Sequence, residues 1–249
     1  MTQNTPKVRI GCAGWSLPKR YAHRFEEAGS HLERYARVFG CVEVNSSFHR
    51  PHRRTVWERW AASVPDDFRF AVKAPKAATH VSKLVSCGAI LQEFFGQISG
   101  LEDKLGPVLV QLPPSLAFDE GVARDFFTVL RELHTGPVVL EPRHASWFTA
   151  LANRLLIDFE VARVAADPAP KGAREVAAAG EPGGWKSLRY WRLHGSPRVY
   201  WSGYDAAFLS NVAARVRKEK KNAEVWVMFD NTAMGEATPN ALDLTDMIS

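Results

Sequence analysis

Cysteine is scarce in this 249-residue chain, and the three present, Cys12, Cys41 and Cys87, are widely spaced and odd in number. There is no CxxC pair and no Cys/His spacing of a zinc knuckle, so neither a disulfide framework nor a structural zinc site is expected. Unpaired cysteines suit a reducing compartment, and the reading is cytoplasmic. No apolar run approaches the ~20 residues needed to cross a bilayer. The start, MTQNTPKVRIG, lacks the apolar segment of a secretory signal, so no leader and no membrane partner are expected. Also missing are GxxxxGK[ST], GxSxG, HExxH and a dinucleotide-binding glycine fingerprint. One-sided charge is lacking too: 32 Lys and Arg against 27 Asp and Glu give a formal +5, too weak to demand a nucleic-acid partner.

What is present is an ordinary globular composition, 46% hydrophobic and 24% charged, with ample chain for a core. Short β-branched and apolar runs recur, each followed by a helical pattern. Strands are expected at Val8–Trp15, Cys41–Phe48, Arg69–Pro75, Pro107–Pro113, Pro137–His144, Ala162–Asp167, Leu188–Gly195 and Glu224–Asn231. Helices are expected at His31–Phe39, Thr55–Val64, Leu84–Leu105, Glu120–His134, Ser146–Phe159 and Ala206–Lys221. Asp119, Ser146 and Asp205 supply start signals, and Gly106-Pro107 and Gly136-Pro137 supply stops.

Alternation at this spacing implies a parallel sheet with right-handed crossovers. Eight strand–helix units in about 250 residues match a single (β/α)8 TIM-barrel-like domain, here spanning 1–249 behind a short tail at 1–7. A doubly wound sheet is the rival, but the first strand leads into GCAGWSLP instead of its glycine motif. Between strands six and seven, DPAPKGAREVAAAGEPGGWKS is rich in Pro, Gly and Ala. An irregular loop is expected there in place of the sixth helix.

In a barrel, alternate strand residues face the lumen and chemistry collects at the C-terminal mouth. That parity turns Glu43, Asn45, Lys73, Gln111, Glu141, Arg143, Arg192 and His194 inward, with Asp230 or Asn231 from the last strand, where parity is ambiguous. A structural ring of ion pairs would explain any one of them. The whole set favours function, because burying several ion pairs is seldom better than packing apolar groups. Glu141 and His194 are the expected catalytic pair. Asn45, Lys73, Gln111, Arg143, His144, Arg192 and Asn231 are the expected substrate contacts. On this reading Glu141 neutralises only part of the charge of Lys73, Arg143 and Arg192, leaving an excess for a phosphate or sulfate to fill.

Lys73 and the loops after strands one to three together carry nine Lys or Arg and, of the acids, only Glu26 and Glu27, so one arc of the mouth should attract anions. Aromatics gather at the same end, with Tyr200, Trp201 and Tyr204 in HGSPRVYWSGYD, a segment that suits a lid. Glu141, His144, Asp167, His194 and Asp230 could offer metal ligands, but three cations already supply positive charge there, and no metal or other cofactor is expected.

GCAGW (Gly11–Trp15), VEVNSSFHRP (Val42–Pro51), FAVKAP (Phe70–Pro75), QLPPS (Gln111–Ser115), LEPRHASW (Leu140–Trp147), WRLHG (Trp191–Gly195) and MFDNTAMGEA (Met228–Ala237) follow one another along nearly the whole chain. Together they resemble the YecE-like family of uncharacterised barrel proteins. The resemblance implies a TIM-barrel-like fold, and the family's recurring motifs fall on Asn45, Lys73, Gln111, Glu141, Arg143, His144, Arg192, His194 and Asn231. At Asp230 many members carry a second asparagine. The family brings no established reaction.

The leading functional reading is an enzyme using acid–base chemistry on a small anionic substrate, a phosphorylated sugar or nucleotide fragment. The alternatives are a nucleic-acid-processing or nucleic-acid-binding protein and a non-catalytic metabolite-binding protein. Under the leading reading, Glu141→Gln should leave the fold largely intact and remove turnover.

Overall fold

The structure, a computed structural model, describes residues 7–248. Residues 1–6 of the expected tail, and Ser249, lie outside the described residues. Parallel strands dominate. A four-stranded sheet has the order β1–β10–β9–β7, and a six-stranded sheet the order β2–β3–β4–β5–β6–β8. The strands are β1 (Val8–Cys12), β2 (Cys41–Val44), β3 (Arg69–Lys73), β4 (Leu105–Gln111), β5 (Val138–Glu141), β6 (Val161–Arg163), β7 (Ala165–Asp167), β8 (Gly183–Gly184), β9 (Leu188–Leu193) and β10 (Glu224–Phe229). All pairings are parallel except β6 with β8. The fold is thus α/β with parallel sheets. Among the described residues no continuous closed barrel is found; the sheets approach at an isolated bridge between Ala13 and Glu43, and β6 passes to β7 through Val164 alone.

Among the described residues the α-helices are α1 (His31–Ala36), α2 (Ser46–His49), α3 (Arg54–Ala62), α4 (Gly88–Ile98), α5 (Glu120–Leu133), α6 (Ala150–Asp158), α7 (Ala206–Glu219) and α8 (Ala237–Ile248). Local chemistry sets their ends. Ser30 and Glu33 form a reciprocal capping box at α1, Asp119 Oδ1 accepts from Val122 N–H at 2.9 Å, and Asp205 Oδ1 from Phe208 N–H at 2.8 Å. The cap expected from Ser146 is supplied by Thr149, because a 3-10 turn over Ala145–Phe148 intervenes. Helix α8 had no counterpart in the expected set. Its Pro239 reads as a breaker but sits in the first helical turn, where a missing N–H does no harm. The long helix expected to reach Leu105 ends at Ile98 and continues as a 3-10 segment, Ser99–Lys104.

Between β7 and β9 there is no α-helix; two 3-10 turns, Lys171–Ala173 and Ala177–Gly180, and β8 fill the stretch. In β4, Pro107 has no N–H to give the ladder, and the β3–β4 register slips there: Phe70 pairs with Leu105, but Val72 with Val108.

Two apolar cores result. The larger lies between strands and helices; α5, for example, buries Ala123, Phe126, Phe127 and Leu130 at helical spacing. The smaller is built of alternate strand residues, including Cys41, Ala71, Leu109, Val139, Tyr190, Trp226 and Met228. Both sheets contribute to it, so their inner faces pack on each other. Two residues further along these strands, towards their C-terminal ends, the same parity turns polar.

Candidate active site at the strand C-termini

Glu43, Lys73, Glu141 and Arg192 succeed Cys41, Ala71, Val139 and Tyr190 at the period of two that a strand imposes. All four are buried. Arg192 is the centre. Its Nε and Nη2 donate to Glu43 at 3.0 and 2.6 Å, Nη1 donates to Glu141 Oε2 at 2.6 Å, and Nη2 also reaches Asp230 Oδ2 at 2.9 Å. Tyr190 Oη donates to Glu43 Oε2 at 2.9 Å, and Gln111 Nε2 to Glu141 Oε2 at 2.9 Å.

His194 lies just beyond β9 and has no exposed surface. Its Nδ1 is 3.1 Å from Asp230 Oδ2, and its Nε2 is 3.0 Å from both Glu141 Oε1 and Arg143 Nη2. Arg143 Nη2 is also 2.5 Å from Glu141 Oε1. In the neutral ring, Nδ1–H donates to Asp230 and Nε2 accepts from Arg143; in the protonated ring, Nε2–H donates to Glu141. The same three side chains therefore accommodate either protonation state. The His194 ring meets Tyr200 edge-on at 5.7 Å. Tyr200 holds a left-handed backbone, φ 69°, and its N–H donates to the His194 carbonyl.

Charges in this cluster balance: Glu43, Glu141 and Asp230 face Lys73, Arg143 and Arg192. Burial pushes the Glu141 carboxyl up, but Arg143, Arg192 and His194 outweigh that and hold it well below the usual carboxylate range. Burial likewise opposes ionisation of Asp230, and Arg192 and His194 reverse it, lowering its pKa. For Arg192, burial disfavours the cation, yet Glu141, Glu43 and Asp230 raise its pKa well above the ordinary value. Lys73 differs. Burial, then Arg192, lower its pKa. Its Nζ sits 4.2 Å over the Phe48 ring, with no carboxylate within 4.0 Å among the described residues.

Several expectations change. Arg192 was expected to hold substrate; with 0% exposure and all its donor nitrogens engaged, it offers an anion nothing. The surplus positive charge expected around it is absent, because Glu43 and Asp230 neutralise what Glu141 does not. Asn231 was also expected to touch substrate. It faces away from the cluster, its Nδ2 donating to Ser202 O and Asn240 Oδ1 at 3.0 Å each. Asp230, which shares the parity of Met228, is the inward residue.

His144 stands outside the cluster, with Nδ1 2.8 Å from Ser146 Oγ. Asn45 follows β2; among the described residues it makes no contact with the cluster, and its buried Oδ1 has no hydrogen-bond partner. Lys73, Gln111, Glu141, Arg143 and His194 do come together. Two further groups carried no sequence signal: Tyr190 as a Glu43 donor, and Ser46 Oγ, which lies 2.8 Å from His52 Nε2 across the short helix α2. Among the described residues, no group of three or more His, Cys, Asp and Glu is placed to hold a metal ion, and no helix is long and apolar enough to cross a membrane.

Fold and site together define an α/β protein with parallel sheets and a buried, charge-balanced polar cluster at the ends of its strands. The chain belongs to the family described as "protein of unknown function DUF72", whose model matches residues 9–249. It is 36% identical over 107 residues to UPF0759 protein YecE of Escherichia coli (strain K12). That match covers 43% of this chain and 38% of YecE, so it spans well under half the length of that relative. A DUF72 family protein (EF0366) from Enterococcus faecalis V583 superposes with a TM-score of 0.78 at 19% identity, over 97% of this chain and 95% of the other. A DUF72 family protein (TM1631) from Thermotoga maritima MSB8 gives 0.76 at 23% identity, over 97% and 99%. At those identities the likeness concerns the fold.

Proposed function

We propose that the protein is an enzyme performing acid–base chemistry on a small anionic substrate at the C-terminal ends of its strands. The observation that carries this reading is His194, gripped at Nδ1 by Asp230 and at Nε2 by Glu141 and Arg143. An imidazole so held can take up or release a proton without reorienting. Lys73, whose ammonium has no carboxylate partner, and Arg143, whose side chain is 19% exposed, are the cations left to meet an anion. Tyr200, over the buried ring, would move to admit substrate.

We read the scaffold as a single (β/α)8 barrel domain. The Ala13–Glu43 bridge on one side and the passage through Val164 on the other support closure of the two sheets. Three unpaired, buried cysteines support a reducing, cytoplasmic setting. Burial pushes the Cys12 thiol up to about 12, which makes it inert rather than reactive.

The test is a panel of phosphorylated sugars and nucleotides in deuterated water, followed by 31P and 1H nuclear magnetic resonance. Wild type should convert a panel member or exchange one of its C–H protons. His194→Asn should lower that rate by about a hundredfold or more. Absence of conversion and exchange throughout the panel would overturn the reading.

A nucleic-acid partner has one specific observation in its favour: Arg198 lies 4.0 Å over the ring of Trp201, and Tyr200 and Trp201 are both exposed, a surface on which bases could stack. Single-stranded DNA binding that falls steeply with salt would select that reading.

A further inference from the structure

Beside the balanced cluster lies a cleft of about 440 Å3, lined by residues that follow β4, β5, β7 and β9, a size that suits a small molecule. Its walls are Pro114, Pro168, Pro170 and Val199; its polar side chains are Arg143, His144, Lys171 and Arg174. Among the described residues, no Asp or Glu lines it. Lys171 and Arg174 are exposed and, among the described residues, neither has a carboxylate within 4.0 Å. The carboxylate preceding Pro168, Asp167, is engaged instead by Tyr204 Oη at 2.8 Å. The cleft therefore holds two unbalanced positive charges.

His144 adds a directed donor. Phe118 N–H donates to Ser146 Oγ at 2.7 Å, so the hydroxyl proton turns to His144 Nδ1, 2.8 Å away, and Ser146 N–H donates to the same nitrogen. With Nδ1 accepting, the neutral ring carries its proton on Nε2, which has no protein partner among the described residues. Arg143 joins the cleft to the cluster. One nitrogen, Nη2, reaches Glu141 and His194, while Nε is buried without a partner among the described residues.

We propose that this cleft is a subsite for a phosphate monoester dianion, held by Lys171, Arg174, Arg143 and His144 Nε2. Two unpaired cations match a charge of about −2, and a guanidinium fork with a point charge suits its tetrahedral oxygens. The inference rests on the proposed function and deepens it: the phosphate is fixed outside the buried cluster, and the rest of the substrate reaches towards His194 along Arg143. The phosphate-holding role expected of Arg192 passes to Lys171 and Arg174, on the irregular segment that replaces a helix.

Inorganic phosphate is the probe, titrated by calorimetry at constant ionic strength set with sodium chloride. Wild type and the outer-helix variant Lys218→Met should bind it saturably and equally, and the double variant Lys171→Met/Arg174→Met at least tenfold more weakly. Both substituted side chains are exposed, so the fold should survive, which near-ultraviolet circular dichroism checks. Dimethyl phosphate, a monoanionic diester, should bind wild type at least tenfold more weakly than phosphate; equal binding overturns the monoester assignment. Undiminished phosphate binding by the double variant, with loss in Lys73→Met, overturns the subsite while supporting an anion at the cluster as the proposed function has it. No saturable binding by wild type also overturns the subsite, whereas the proposed function falls only if the conversion and exchange panel is negative.

Discussion

Glu141 shows how much a single buried carboxylate can hold. Its oxygens meet Arg192, Arg143, His194 and Gln111, and none of its surface reaches solvent. From sequence, Glu141→Gln was expected to keep the fold. The geometry reverses this, because an amide leaves two arginines facing less negative charge where neither Glu141 nor Arg192 has any exposed surface. Breaking such a pair costs about 3–5 kcal/mol, so chemical denaturation of Glu141→Gln should show a loss of that order; a loss under about 1 kcal/mol would mean the cluster is far better hydrated than its burial implies. Lys73 should behave in the opposite way. Its ammonium is buried over Phe48 without a carboxylate partner, so the folded state bears a desolvation penalty that the unfolded chain avoids. Lys73→Met keeps the aliphatic stem and removes the charge. Its melting temperature should rise, and a fall would show that the ammonium is well paired.

The loop Gly195–Tyr204 is the element that covers His194, and its shape depends on one glycine. Gly195 has φ +95°, and a Cβ there would stand 2.6 Å from Ser202 O and 3.1 Å from Asn231 Cβ. Gly195→Ala should therefore cost about 1–3 kcal/mol and lift Tyr200 off the ring, read as faster amide exchange across the loop; unchanged exchange would mean the loop is not tied through Gly195. This element also marks how far sequence could be read. In Trp191–His194 the alternation of Trp and Leu with Arg and His displays inside and outside plainly, and Arg192 and His194 were legible. In β10, Val225, Trp226, Val227, Met228 and Phe229 are apolar on both faces, so period two leaves no contrast, and Asp230 could not be told from Asn231. Arg192 was legible as an inward residue but not as a saturated one, because its partners come from β2, β5 and the end of β10. Lys171 and Arg174 lay in a stretch with no periodicity, where position relative to a site is set by tertiary packing alone.

Over the whole molecule, acid should act in two stages because two kinds of buried group titrate in different windows. His134 lies at the far end of α5 from Asp119, its ring stacked on Phe95 at 4.8 Å, and its Nε2 is buried without a partner among the described residues. Burial, then the nearby Arg131, lower its pKa from 6.5 to about 4. Between those values the unfolded chain binds a proton that the folded chain does not, so stability falls as pH drops from 6.5 towards 4. Glu141 and Asp230 shift the same way for a different reason. Their cationic partners outweigh burial and keep them ionised in the fold. Their contribution is complete above the unfolded carboxylate pKa values, 4.5 and 3.8, and disappears only as pH falls further, through their folded values. Urea midpoints against pH should thus decline first between 6.5 and 4, then more steeply below. His134→Phe, which keeps an aromatic ring against Phe95, should shrink the first stage and leave the second, the remainder coming from His52 and His80, whose pKa values burial also lowers. If the variant still loses stability between pH 6.5 and 4 as wild type does, His134 is not the group that titrates there, and the acid sensitivity must be sought among the other histidines.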